Sequence, residues 1–147
     1  TRAEDIAKKA IYAGAKIVAD KVAANLDALP TDKYRRLKSD EKLNVLSAEQ
    51  KEDLKEGFGI TPIKLDKDGN WSAKVGFDGY GRYPTKKYPK GLPNQLLARS
   101  IESGSSVRHK KPFVRPALNA VKNQVQEEMS RVAEEEIKKI LADALGG

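Results

Sequence analysis

Two stretches of helical periodicity, residues 3 to 29 and 116 to about 145, constrain everything between them. In the first, Ile6, Ala10, Ala13, Ile17 and Ala24 cluster on one side, widened by Ala7, Ile11, Gly14 and Val18, while Lys9, Lys16, Asp20 and Asp27 lie opposite. Pro30 ends it. In the second, Pro116 suits the first helical position, and Leu118, Val121, Val125, Met129, Val132, Ile140 and Ala144 recur at three- and four-residue steps with Ile137 and Leu141 beside them. A helix of about 29 residues is about 44 Å long, whereas a compact domain of this size is about 38 Å across. An apolar stripe that outruns its own domain needs cover. Another subunit is one cover; an elongated domain whose two helices pack on each other and on a small sheet is the alternative.

The stretch between the helices is charged and non-periodic from 31 to 46, with Tyr34, Leu37, Leu43, Val45 and Leu46 as its sizeable apolar members, and reads as a linker. Ser47 followed by Gln50 is a capping-box spacing and Gly57 suits a helix C-terminal position, predicting a short helix over about 48 to 56. Strands are expected at about 58 to 65 and 71 to 77, joined by a turn over Asp66, Lys67, Asp68, Gly69 and Asn70. Trp71, Ala73, Val75 and Phe77 then share one face, and Pro62 places its strand at an edge or bulge. Residues 78 to 93, rich in Gly, Pro, Tyr and Lys, read as a long extended loop. Asn94 is a candidate cap for a short helix reaching Gly104, and Ser105 to Lys111 is again loop. The expected fold is α+β over one domain, residues 1 to 147: long N- and C-terminal helices on a small antiparallel sheet, with a basic Gly/Pro/Tyr loop at about 78 to 93.

Hydrophobic residues make up 39% of the chain and aromatics 6%, enough for one modest core and too little for a large enclosed active site. The absence of cysteine and a single histidine, His109, remove disulfide scaffolds, thiolate nucleophiles, zinc fingers and multi-histidine metal centres. Apolar runs are short and no signal-peptide core opens the sequence, so a soluble chain, intracellular when made, is expected.

Charge is unevenly placed. From Lys74 to Arg115 ten cations face two anions, whereas residues 116 onward hold four cations and six anions. A basic middle beside an acidic helix suits head-to-tail complementarity between copies of the chain, a nucleic-acid footprint, or plain solvation. Within it, Tyr80, Arg82, Tyr83, Lys86, Lys87, Tyr88 and Lys90 interleave rings with cations. That pattern fits stacking on a single strand or anchoring at a protein interface; Pro84, Pro89 and Pro93 keep the loop extended and favour an arm laid over a neighbour, with Arg108, Lys110 and Lys111 as further contact candidates.

Chemical motifs fail their own spacing rules. Asp66, Asp68 and Asn70 begin like a calcium loop, but Trp71 and Phe77 stand where glycine and glutamate are needed. Gly76, Gly79 and Gly81 are ordered in reverse of a dinucleotide fingerprint. Ser103, Ser105 and Ser106 lack a nucleophile elbow. Glu127, Glu128, Glu134, Glu135 and Glu136 read as a solvated helix face paired with Arg131, Lys138 and Lys139. No catalytic, cofactor-binding or metal-ligating residue is assigned.

One segment is more specific: Ile101-Glu102-Ser103-Gly104-Ser105, then Lys111-Pro112-Phe113-Val114-Arg115-Pro116-Ala117-Leu118 leading into the last helix. It resembles the closing signature of the Hong Kong 97-like tail-component family of long-tailed phages, in which an apolar residue, Glu, any residue, Gly and Thr or Ser precede Pro-Phe-x-Arg-Pro-Ala. The family's Thr-Gly-x-Leu motif has only Asp53-Leu54 with Gly57-Phe58 as its counterpart. The resemblance implies a non-enzymatic virion protein that forms a homo-oligomeric ring, such as a hexamer or dodecamer, at the head-tail junction or tail end. Implied partners are the other neck and tail proteins (connector or stopper, tail terminator and tail tube), with transient contact to DNA in the channel. It further implies assembly in the host bacterial cytoplasm, location in the virion and no membrane contact. By position Glu102, Gly104, Pro112, Phe113, Arg115 and Pro116 match the signature. Pro112 and Pro116 would fix the chain's approach to the helix, Phe113 would anchor it to the core, and Arg115 would pair with a carboxylate, Glu102 being the candidate. The alternative is a sequence-independent nucleic-acid binder using residues 74 to 115.

Overall fold

A computed structural model of the chain describes residues 1 to 146 except 34 to 37, 39 and 45. The first helix, α1 (Arg2–Ala28), starts at a full capping box in which the Thr1 hydroxyl accepts from the Glu4 N–H and the Glu4 carboxylate returns to the Thr1 amino group. It stops where Pro30 forces Leu29 into extended backbone. The last helix, α4 (Val114–Gly146), runs antiparallel to it: Asn25 Nδ2 donates to the Phe113 carbonyl at 3.1 Å, Gly14 faces Val125 and Met129, and Lys9 pairs with Glu136 at 3.0 Å. Small residues at the crossing let the backbones approach closely. The buried track of α1 is Ala10, Gly14, Ala19, Val22 and Leu26, so Ala24, expected on that face, is exposed.

The short helix α2 (Ala48–Gly57) carries the expected capping box, Ser47 and Gln50 exchanging bonds of 3.1 Å. It lies across the end of α1, where Lys51 Nζ donates to the carbonyls of Asp27 and Leu29, and Lys55 pairs with Asp27 at 2.8 Å. Cations thus meet the carbonyl end of the helix dipole, and the Lys55 ammonium holds the Asp27 carboxyl below its ordinary range. Gly57 does not end α2 in left-handed backbone as its position suggested; Phe58 follows directly in extended conformation. Glycine is required because a Cβ there would collide with the Asp78 carbonyl oxygen and lie 2.6 Å from Asn94 Nδ2.

The two expected strands are one interrupted hairpin. β1 (Phe58–Ile60) pairs with β4 (Val75–Phe77), and β2 (Lys64–Leu65) with β3 (Trp71–Ser72), all antiparallel. Phe58 opposes Phe77 and Ile60 opposes Val75, but Lys64 opposes Ser72, so three residues, 61 to 63, face two, 73 and 74. Pro62 sits in that bulge, where its missing N–H costs no ladder bond. The turn closes through Asp66, whose Oδ1 accepts from the N–H groups of Asp68 and Asn70, with Gly69 at a φ of 82°.

Helix α3 (Asn94–Ser103) buries Asn94, Leu97, Ala98 and Ile101, a helical face pressed on the hairpin. The core joins Val22, Leu26, Leu46, Leu54, Phe77, Leu97, Ile101, Phe113 and Ala117, with Phe77 between Phe58 at 5.0 Å and Phe113 at 6.0 Å. This is the α+β arrangement read from the sequence. Leu43 and Leu46 make single bridges to Arg108 and Thr31; Tyr34, Leu37 and Val45 lie outside the described residues. At 33 residues, α4 is about 50 Å long. Its stripe is covered in the middle, and Leu118, Ile137, Leu141 and Leu145 remain 45%, 47%, 53% and 86% exposed.

Candidate functional site

The signature residues meet where α3 turns into α4. Gly104 ends α3 at a φ of 80°, its N–H donating to Ser100 O at 2.8 Å, a conformation that favours glycine. The chain then loops back, Lys111 N–H donating to the Ile101 carbonyl at 2.6 Å. Glu102 closes the junction: Oε1 accepts from the N–H groups of Phe113 and Val114 at 2.7 and 2.8 Å, and Oε2 from that of Arg115 at 3.0 Å. A carboxylate borrowed from α3 therefore caps α4, satisfying three otherwise unpaired donors at the positive end of its dipole. Burial pushes the Glu102 carboxyl up, and the three backbone bonds outweigh it, holding the group below the usual glutamate range. The expected side-chain pair of Glu102 with Arg115 is thus replaced by a bond to the Arg115 backbone, and the Arg115 side chain is exposed. The cap also explains why α4 begins at Val114 and not at Pro116. Phe113, 1% exposed, anchors the turn in the core; Pro112 and Pro116 are exposed on either side.

The Gly/Pro/Tyr segment contains no helix or strand, yet it is not an extended arm. Its two limbs meet: Gly81 N–H donates to Leu92 O at 2.8 Å, Asn94 N–H to Gly79 O at 2.9 Å, and Thr85 N–H to Tyr88 O at 2.9 Å. Gly91, at a φ of 100°, abuts the Gly81 carbonyl so closely that a Cβ would overlap it. The base is clamped to α2 by Arg82, whose N–H and Nε each donate to the Asp53 carboxylate at 3.0 Å while Nη2 reaches Glu52 at 3.1 Å. The bond to Asp53, then that to Glu52, raises the Arg82 pKa further. Asn94, expected to cap α3, instead uses Nδ2 to tie Asp53 O and Asp78 O together, and Pro93 holds the cap position. This network joins residues far apart in sequence, and no local spacing could have signalled it.

Of the predicted contact residues, Arg82 is engaged internally and Arg108, 6% exposed, is buried, so both serve the fold. Tyr80 and Tyr83 are 52% and 68% exposed, Lys86, Lys87, Lys90 and Lys110 are exposed, and Tyr88 and Lys111 are half-buried. Lys87 stands over the Tyr88 ring at 5.6 Å. The sequence reading missed a larger feature: an open groove of about 490 Å³ between α1, α4, the hairpin and α3. Its walls include Ile11, Ala15 and Val18 of α1, Phe77 of β4 and Met129 of α4, and among the described residues its charged members are Arg99 and Glu102. Such a surface can hold apolar side chains; its chemistry is burial.

No family model matches this chain, and comparisons with curated proteins and with solved structures likewise find no match. Among the described residues no group of three or more metal-ligating side chains is assembled, and no helix is long and apolar enough to cross a membrane.

Proposed function

We propose that this chain is a structural subunit of a long-tailed phage or prophage particle, joining or completing the tail as part of a homo-oligomeric ring at the head-tail junction or tail end. The observation that carries the reading is the Glu102 cap. Residues matching the phage signature meet at one stereochemical task, turning a short helix into the long terminal one: Glu102 caps α4, Gly104 takes the positive φ that ends α3, and Phe113 anchors the turn in the core. Support for self-assembly comes from the uncovered apolar surface: a groove on one side of the molecule and a stripe ending in Leu145 on another. The exposed Tyr and Lys side chains of the 78 to 93 loop are suited to contacts with neighbouring neck and tail proteins.

The test is genetic. Deleting the coding sequence from the phage or prophage that carries it leaves filled heads and separate tails in electron micrographs. Joined, infectious particles in normal number would refute the reading.

A further inference from the structure

We propose that the apolar groove receives the C-terminal end of α4 from a second copy of the chain, a head-to-tail contact. This deepens the assembly reading above and rests on it. The donor surface is Ile137, Leu141 and Leu145, exposed and spaced one helical turn apart, the pattern by which a helix is laid into a groove. The acceptor is apolar and open, and it is long enough to seat the donor. The stripe from residue 137 to 145 spans about 12 Å and the α1 wall from residue 11 to 22 about 17 Å, at 1.5 Å per residue.

The occupant cannot come from the same chain. α4 itself lines the groove with Met129, and Leu141 lies about 18 Å further along the same unbroken helix. Charge favours the second copy. Glu134, one turn before Ile137, is exposed, as is Arg99 at the groove, and neither makes an ion pair or side-chain hydrogen bond among the described residues. Because donor and acceptor are different surfaces, each subunit presents both, and the contact repeats until a ring closes or a filament grows.

The cysteine-free sequence makes the test clean. Ala15→Cys and Leu141→Cys are made as separate single-cysteine proteins, mixed and oxidised, so that any 15–141 disulfide is intermolecular. The control pair is Lys67→Cys, at the distant hairpin turn, with Leu141→Cys. The proposal expects the 15–141 product to exceed the 67–141 product at least tenfold. It also expects Arg99→Glu to weaken self-association by roughly fivefold, the scale of one ion pair, and Glu134→Arg in the same chain to restore it. Oligomers seen by light scattering without 15–141 enrichment would overturn this docking mode and leave the assembly reading standing. Equal cross-linking of both pairs, or absence of charge-swap rescue, would also overturn it. A chain that stays monomeric at every concentration would remove the docking mode, and the genetic test then decides the assembly reading separately.

Discussion

Replacing Glu102 with Gln keeps the shape of the cap and removes its charge. Since folding lowers the carboxyl pKa, the stabilisation is fully present above about pH 4.5 and is lost as the pH falls through the lower folded value. Urea unfolding should therefore show Glu102→Gln less stable than the parent by about 1 kcal/mol at pH 7, with the difference shrinking as the pH is lowered below that of an ordinary glutamate. A difference that stays constant would assign Glu102 a packing role only. Arg115→Ala should be near neutral, because the cap uses the Arg115 backbone. Glycines give a second contrast. Gly57→Ala meets backbone and should cost about 2 kcal/mol, whereas Gly14→Ala meets the flexible Met129 side chain at 2.9 Å, and its helix-propensity gain should keep the net change within about 1 kcal/mol. The signature residues were legible because they are close in sequence. Asp53, Arg82 and Asn94 were not, since their bonds depend on where the chain returns after tens of residues.

At the scale of elements, periodicity and capping residues located α1, α2 and α4 to within a few residues, and Pro62 marked the bulge. What they could not give was the register shift across that bulge or the early start of α4, because both depend on partners in other elements. The loop from 78 to 93 misled in the same way: its composition suits an arm, while Gly81 against Gly91 and Arg82 on Asp53 fold it back. Arg82→Ala should release the base, and trypsin should then cut at Lys86, Lys87 or Lys90 several-fold faster while the thermal midpoint moves little. Unchanged cleavage would show that the backbone pinch alone holds the loop.

For the whole molecule, helix lengths against domain size signalled that some apolar surface would lack cover, though not where. The groove was invisible because its walls come from four elements, each with an ordinary buried face. The basic middle also reads differently in three dimensions, since Arg82 is paired with Asp53 and Glu52 and Arg108 is buried. Filter binding to duplex DNA at physiological salt should accordingly show nothing tighter than about 1 μM; tight, steeply salt-dependent binding would favour the nucleic-acid alternative. The most direct measurement is sedimentation equilibrium of the parent chain beside Leu141→Glu, an exposed substitution that leaves the fold intact. The parent's mass should rise with concentration from 16.2 kDa toward a multiple of it, while Leu141→Glu stays at 16.2 kDa. A parent that remains at 16.2 kDa throughout, or a variant that associates equally well, would contradict the account.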